Sequence, residues 1–137
     1  DPYKDYTDLA LALDSIRRRW SGAEVVATCA TGGRPDMALS VLGLLAGYED
    51  APIWIFEDKV VARILHAGES WTIEGAEGKT FSIIAIAPNT KVSEHGLEWE
   101  LDHSPLDLLA DTGISNVVRS TATIQVHTGT AITYLYR

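Results

Sequence analysis

Between residues 24 and 45 the chain runs through three unlike stretches. An apolar, β-branched run, Glu24-Val25-Val26-Ala27-Thr28-Cys29-Ala30, leads into Thr31-Gly32-Gly33-Arg34-Pro35-Asp36 and then into Met37-Ala38-Leu39-Ser40-Val41-Leu42-Gly43-Leu44-Leu45. The first predicts a buried strand, and the last predicts a helix packed on most sides. Two adjacent glycines let the connecting backbone take positive φ and approach a ligand closely. A strand, a glycine loop and a helix in this order aim the loop and the helix's free N–H groups at one spot beyond the sheet edge. Arg34 and Asp36 are displayed there, a cation and an anion two residues apart. On this stretch alone, a ligand-facing loop and a tight turn with a surface ion pair fit equally well.

Upstream, Leu9, Leu13, Ile16 and Trp20 recur at helical spacing, with Asp14, Arg17, Arg18 and Arg19 on the remaining surface. Trp20 is expected to close the apolar stripe. Thr7 or Asp8 suits the helix N-cap. Lys4, Asp5 and Asp8 bring more charge than one cap requires. Carboxylates here suit a divalent cation and a lysine suits a phosphate, while a solvated, capped helix start fits the same residues. Downstream, residues 53–56 read as a strand and 60–65 as another. Residues 9–65 therefore predict an α/β pattern with a parallel component, too short for a whole doubly wound domain.

From His66 onward the helical periodicity stops. Residues 71–73 form a brief predicted strand, and 79–87 are apolar on both faces, as a strand inside a sandwich would be. Leu97, Trp99 and Leu101 share one face of a predicted strand over 96–101. Residues 104–111 read as irregular or one helical turn. Ala122, Ile124 and Val126 alternate with polar neighbours, and Thr128-Gly129 then turns the chain into a predicted hairpin with 131–136. The second half is expected to be a small antiparallel sandwich abutting the first.

Chemistry-bearing residues are sparse. Cys29 is the single cysteine and is placed in a buried strand as inert packing. His66, His95, His103 and His127 lack metal-pair spacing and read as surface or strand-end residues. Gly113-Ile114-Ser115-Asn116 is a small polar cluster able to hydrogen-bond a ligand, or simply a turn. The net charge of −8 opposes a nucleic-acid partner. No apolar run is long enough to cross a bilayer, so no membrane partner is expected and the cytoplasm is the expected location.

Three stretches together resemble the thiamine pyrophosphokinase family. Lys4-Asp5-Tyr6-Thr7-Asp8-Leu9-Ala10-Leu11-Ala12-Leu13 is similar to its K-D-x-T-D-hydrophobic-x-x-A-L segment, and Thr31 to Asp36 to its G-G-R-x-D loop. Gly96-Leu97-Glu98-Trp99-Glu100-Leu101, followed by Gly113-Ile114-Ser115-Asn116, resembles its G-L-x-x-x-L and G-I-S-N signatures.

The resemblance implies a homodimeric, Mg2+-dependent transferase that moves the pyrophosphoryl group of ATP to the hydroxyl of thiamine. It also implies a partial α/β nucleotide-binding (Rossmann-like) lobe over residues 1–65. An antiparallel β-sandwich lobe for thiamine binding and dimerisation would follow over 66–137. By the same likeness Asp5 and Asp8 are the catalytic, metal-holding acids, with Lys4 and Thr7 beside them on the phosphates. Arg34 and Asp36 form the nucleotide-side loop. Ser115 and Asn116 face thiamine across the dimer, and Tyr134 stands near the thiamine ring.

Two features depart from the family. Pro35 and Met37 stand where an apolar residue and a His or Gln are usual, and the family's D-x-D-S motif has no counterpart in this sequence. The sequence thus looks like the C-terminal portion of such a protein. A non-catalytic nucleotide- or thiamine-binding module, or a dimerisation domain, is the alternative.

Overall fold

A computed structural model describes residues 6–137. They form two helices packed on a largely β architecture of nine strands. Helix α1 (Asp8–Arg19) starts where the Thr7 hydroxyl accepts the Ala10 N–H at 3.2 Å, an N-cap that satisfies one otherwise orphaned donor. Arginines 17 to 19 fill its last turn, where cations suit the helix dipole. Strand β1 (Val25–Thr28) leads through the glycine loop to α2 (Pro35–Ala46), which begins with proline at its first position. Strand β2 (Ile53–Phe56) then lies parallel to β1, so β1-α2-β2 is a crossover unit. Seven strands follow: β3 (Val60–His66), β4 (Ser70–Ile73), β5 (Thr80–Ala85), β6 (Thr90–Leu97), β7 (Leu101–Leu106), β8 (Asn116–Thr128) and β9 (Thr130–Tyr136).

The strand order is β1-β2-β3-β9-β5-β8-β6-β7, with β4 on β8. One sheet holds β1, β2, β3, β9 and β5; the other holds β4, β8, β6 and β7. The thirteen-residue β8 joins them, pairing Asn116 and Val117 with β5 and its later residues with β6 and β4. Two cores result. Leu65, Phe81, Ile83, Val92, Val118 and Ile124 are among the residues filling the space between the sheets. On the opposite face of the first sheet, Ile53, Ile55, Ala62, Ile64 and Ile132 pack against Leu13 and Leu45 of the helices. Central strands such as β3 are therefore apolar on both faces. Arg17 ties α1 down, pairing with Asp50 at 2.5 Å and lying over the Tyr48 ring.

Several local expectations are corrected. Residues 122–136 do not form a hairpin. After Gly129 the chain changes sheets, β8 pairing with β4, β5 and β6, and β9 with β3 and β5. Both segments have strand periodicity, but their partners are non-local. Trp99 sits in the turn between β6 and β7 and is 63% exposed, so it does not share a core face with Leu97 and Leu101. Residues 104–106, expected to be irregular or helical, belong to the strand β7. Trp20 lies past the end of α1 and is exposed, and Leu39 and Met37 leave one side of α2 open. Cys29 is also exposed, in the left-handed region just beyond β1 (φ 54°), so it is not buried packing.

Candidate functional site

A groove of about 470 Å³ opens on the helix-bearing face of the first sheet. Its floor follows from strand alternation. Thr80, Ser82 and Ile84 of β5 point to one face, and Tyr134 and Tyr136 of β9 share it because Ser82 pairs directly with Tyr134. One wall is Ile114-Ser115, which precedes β8. Ser115 adopts the left-handed conformation (φ 62°), and its N–H donates to the Ser82 hydroxyl at 3.0 Å. Five hydroxyls and two isoleucines thus line a groove without a formal charge. Burial, and secondarily the neighbouring Tyr136, hold the Tyr134 phenol above its ordinary pKa, so it stays neutral and can donate.

The glycine loop borders a second depression of about 460 Å³, into which Leu9, Thr28, Gly32, Arg34 and Met37 project. Arg34 grips Asp36 through both fork nitrogens, at 3.1 and 2.5 Å. That exposed pair holds the Asp36 carboxyl below its usual range. The loop is anchored by Glu57, whose Oε1 accepts the Ala30 N–H, the Thr31 N–H and the Thr31 hydroxyl at 2.9 to 3.1 Å. Glu57→Ala leaves two backbone donors unpaired, at about 1–3 kcal/mol. The Ala30 and Thr31 amides should then exchange with solvent roughly tenfold faster or more. Unchanged exchange at both amides would remove this anchoring role.

One register row relates the two places. Ala27, Ile55, Ala62, Tyr134 and Ser82 are consecutive partners across β1, β2, β3, β9 and β5, so they face the same side. The Arg34 loop follows the first strand of that row, and Ser115 is bonded to the last. At ~4.8 Å per strand, four spacings separate the rows' ends by about 19 Å.

The other expected site residues are placed as follows. Thr7 caps α1 and Asp8 is its first residue; Lys4 and Asp5 lie outside the described residues. Asn116 does not line the groove beside Ser115. Its buried side chain is engaged with the Trp99 backbone: Oδ1 accepts the Trp99 N–H at 3.1 Å and Nδ2 donates to the Trp99 carbonyl at 2.7 Å. Histidines are less solitary than their spacing suggested. His127 meets the Ser93 hydroxyl at 2.7 Å and stacks on His103 at 3.8 Å, and the buried His66 bonds Glu69 and the Ala46 carbonyl.

Thr80, Ser82, Tyr136, Glu57 and Glu94 escaped the sequence reading. The available signal for Ser82 was a hydroxyl in the middle of an otherwise apolar strand. Glu94 lies on the same face of β6 as Val92, and is only 1% exposed. Burial pushes its carboxyl up to about 7, with the Asn116 amide pulling the other way. Among the described residues no three His, Cys, Asp or Glu side chains converge as a metal-ligand set, and no helix is long and apolar enough to cross a membrane.

Residues 70–132 match the family described as thiamin pyrophosphokinase, vitamin B1 binding domain. That span includes Ser82, Ser115 and Glu94 and stops two residues before Tyr134. The chain is 30% identical over 125 residues to thiamine pyrophosphokinase 1 of Arabidopsis thaliana, covering 85% of this chain and 47% of that protein. It is 27% identical to thiamine pyrophosphokinase 2 of the same plant, with the same coverage. The chain thus spans about half the length of these curated relatives. Its fold is shared with the thiamine pyrophosphokinase of Bacillus subtilis (TM-score 0.79, 23% identity, covering 97% of this chain and 64% of that one). It is shared equally with that of Geobacillus thermodenitrificans (TM-score 0.79, 24% identity, 98% and 63%).

Proposed function

We propose that this chain is a member of the thiamine pyrophosphokinase family and carries the thiamine-facing part of an enzyme transferring the pyrophosphoryl group of ATP to the hydroxyl of thiamine. The product is thiamine diphosphate. The observation that carries this reading is the uncharged, hydroxyl-lined groove at Ser82, Ser115 and Tyr134, which falls largely within the span matching the vitamin B1 binding domain. An aminopyrimidine offers donors and acceptors that such hydroxyls can meet, and the thiazolium cation suits an aromatic wall and an acidic protein. In this reading residues 66–137 form the thiamine-binding and dimerisation segment. Residues 1–65 form the partial, Rossmann-like nucleotide segment.

Attack on the β-phosphorus demands charge neutralisation and alignment more than covalent help. Arg34 is the cation for that role at the glycine loop. An incoming phosphate would take the fork that Asp36 now occupies, and Asp36 would hold the guanidinium in place until then. Lys4 and Thr7 would lie nearby on the phosphates. Mg2+ would be held by Asp5, which lies outside the described residues, and Asp8, and would neutralise charge on the phosphates. Ser115 and Tyr134 orient thiamine, and Asn116 acts through the Trp99 turn. About 19 Å between groove and loop in one protomer favours a homodimer in which Ser115 of one subunit lies near the partner's glycine loop. The expected location is cytoplasmic.

Titration calorimetry with thiamine tests the groove. Tyr134→Ala should weaken binding at least tenfold, and unchanged binding would overturn the assignment. Arg34→Lys preserves charge but loses the planar fork. It should lower formation of thiamine diphosphate tenfold or more while leaving thiamine binding intact; full activity would make Arg34 a surface cation. The second reading is a non-catalytic thiamine- or nucleotide-binding module, which the uncharged, hydroxyl-lined groove would serve equally well. Thiamine binding without any ATP-dependent turnover would establish it.

A further inference from the structure

On the far side of Ile114 from the hydroxyl groove lies a small pocket of about 80 Å³ between β6, the 98–100 turn and the segment leading into β8. Glu94, Trp99, Leu101, Thr112, Ile114 and Asn116 line it. Glu94 is 1% exposed, and its Oε1 has no hydrogen-bond partner among the described residues. Burying a carboxylate oxygen without a donor is costly, and such groups are normally satisfied by a protein, water or ligand donor. The adjoining Trp99 is 63% exposed although its backbone is held at both ends by Asn116. An indole is thus presented on a fixed turn beside a buried carboxyl. Gly113 keeps the wall in position, since a Cβ there would fall 2.5 Å from the Ile83 carbonyl oxygen.

We propose that this pocket binds a primary ammonium group, with Glu94 Oε1 accepting its N–H and Trp99, Leu101 and Ile114 enclosing the attached carbon. Its chemistry selects among cations. Calcium and magnesium require about six oxygens, whereas here the side-chain oxygens are those of Glu94, Thr112 and Asn116, and Asn116 Oδ1 already accepts the Trp99 and Val117 N–H groups. A primary ammonium combines donors for the carboxylate with a carbon that favours an aromatic neighbour. The volume admits roughly two to three water-sized groups, hence methylammonium or the amine end of a longer molecule. The pocket shares the Ile114 wall with the hydroxyl groove but opens on its other side, and it contains neither Ser82, Ser115 nor Tyr134.

Methylammonium chloride is the probe, titrated at pH 8 against sodium chloride of equal ionic strength and followed by 1H–15N spectra. Saturable shifts are expected at the Trp99 indole N–H and the Asn116 side-chain amide, the former identified by its loss in Trp99→Leu. For so small a probe a millimolar dissociation constant is the expected range. Glu94→Gln should weaken binding at least tenfold while Tyr134→Ala leaves it unchanged. Tetramethylammonium, which has no N–H, should neither bind nor compete. Shifts no larger than those with sodium chloride would overturn the proposal. So would equal affinity in Glu94→Gln, which would assign the pocket to a held water only.

Discussion

Glu94→Gln is expected to stabilise the protein at pH 8 by about 2–3 kcal/mol and to do almost nothing at pH 4.5. The sign follows from linkage. The folded-state carboxyl titrates near 7 against an ordinary 4.5, because burial penalises its charged form. Below 4.5 both folded and unfolded chains hold the proton, and the residue is neutral to stability. Between 4.5 and 7 the unfolded chain ionises while the folded one resists, so stability falls as pH rises. Above 7 the folded state bears the full cost of the buried charge. Glutamine keeps the shape and removes that cost, less the cost of burying its own amide. The melting temperature should rise by about 5–10 °C at pH 8, with the two proteins converging toward pH 4.5. An equal shift at both pH values would show that Glu94 is not a buried titrating group. A residue so unfavourable to the fold is a reasonable place to look for binding, where stability is often given up for function.

Gly96→Ala is expected to cost about 2–5 kcal/mol. Gly96 has φ +81°, and a Cβ built there lies 2.3 Å from the Thr121 carbonyl oxygen and 2.9 Å from the Ala122 Cα. It stands where the pairing of β6 and β8 slips between His95 and Leu97, so the two backbones approach closely there. The left-handed conformation alone costs an alanine about 1–2 kcal/mol, and overpacking against backbone adds about 1–3. Gly78→Ala separates the two contributions, since Gly78 has φ +82° and nothing within 4 Å of its built Cβ. Chemical denaturation of both variants should show a loss at Gly78 of about 1–2 kcal/mol and a clearly larger one at Gly96. Equal losses would mean that close approach contributes nothing and would contradict the slipped register.

Local features of the chain were readable without its tertiary structure because their causes lie within a few residues. The Thr7 cap, the apolar residues Leu9, Leu13 and Ile16 of α1 and the apolar strand β5 depend on neighbours in sequence, whereas Pro35, read as loop, is the first residue of α2. Three dispersed motifs also carried the resemblance to a family, and the glycine loop was recognisable as the connection in a strand–loop–helix unit. Partner choice was not readable. The run 122–136 alternates like a hairpin, yet burial on two different faces sends its halves to different sheets.

The same limit applies to the site. Ser115 was legible as part of a polar turn, but Ser82 and Thr80 enter the groove only because β9 places Tyr134 opposite Ser82. Asn116 reads like its neighbour in sequence, and the tertiary structure commits it to the Trp99 backbone. Glu94 alternates with Val92 as any strand residue does. It becomes a buried carboxyl because β7 and β8 flank β6 and the segment before β8 closes over it. Sequence determined which residues are strand, cap and loop, since those depend on local periodicity and backbone preference. Which polar groups lose water depended on contacts between residues distant in the chain, and only the assembled sheets decided that.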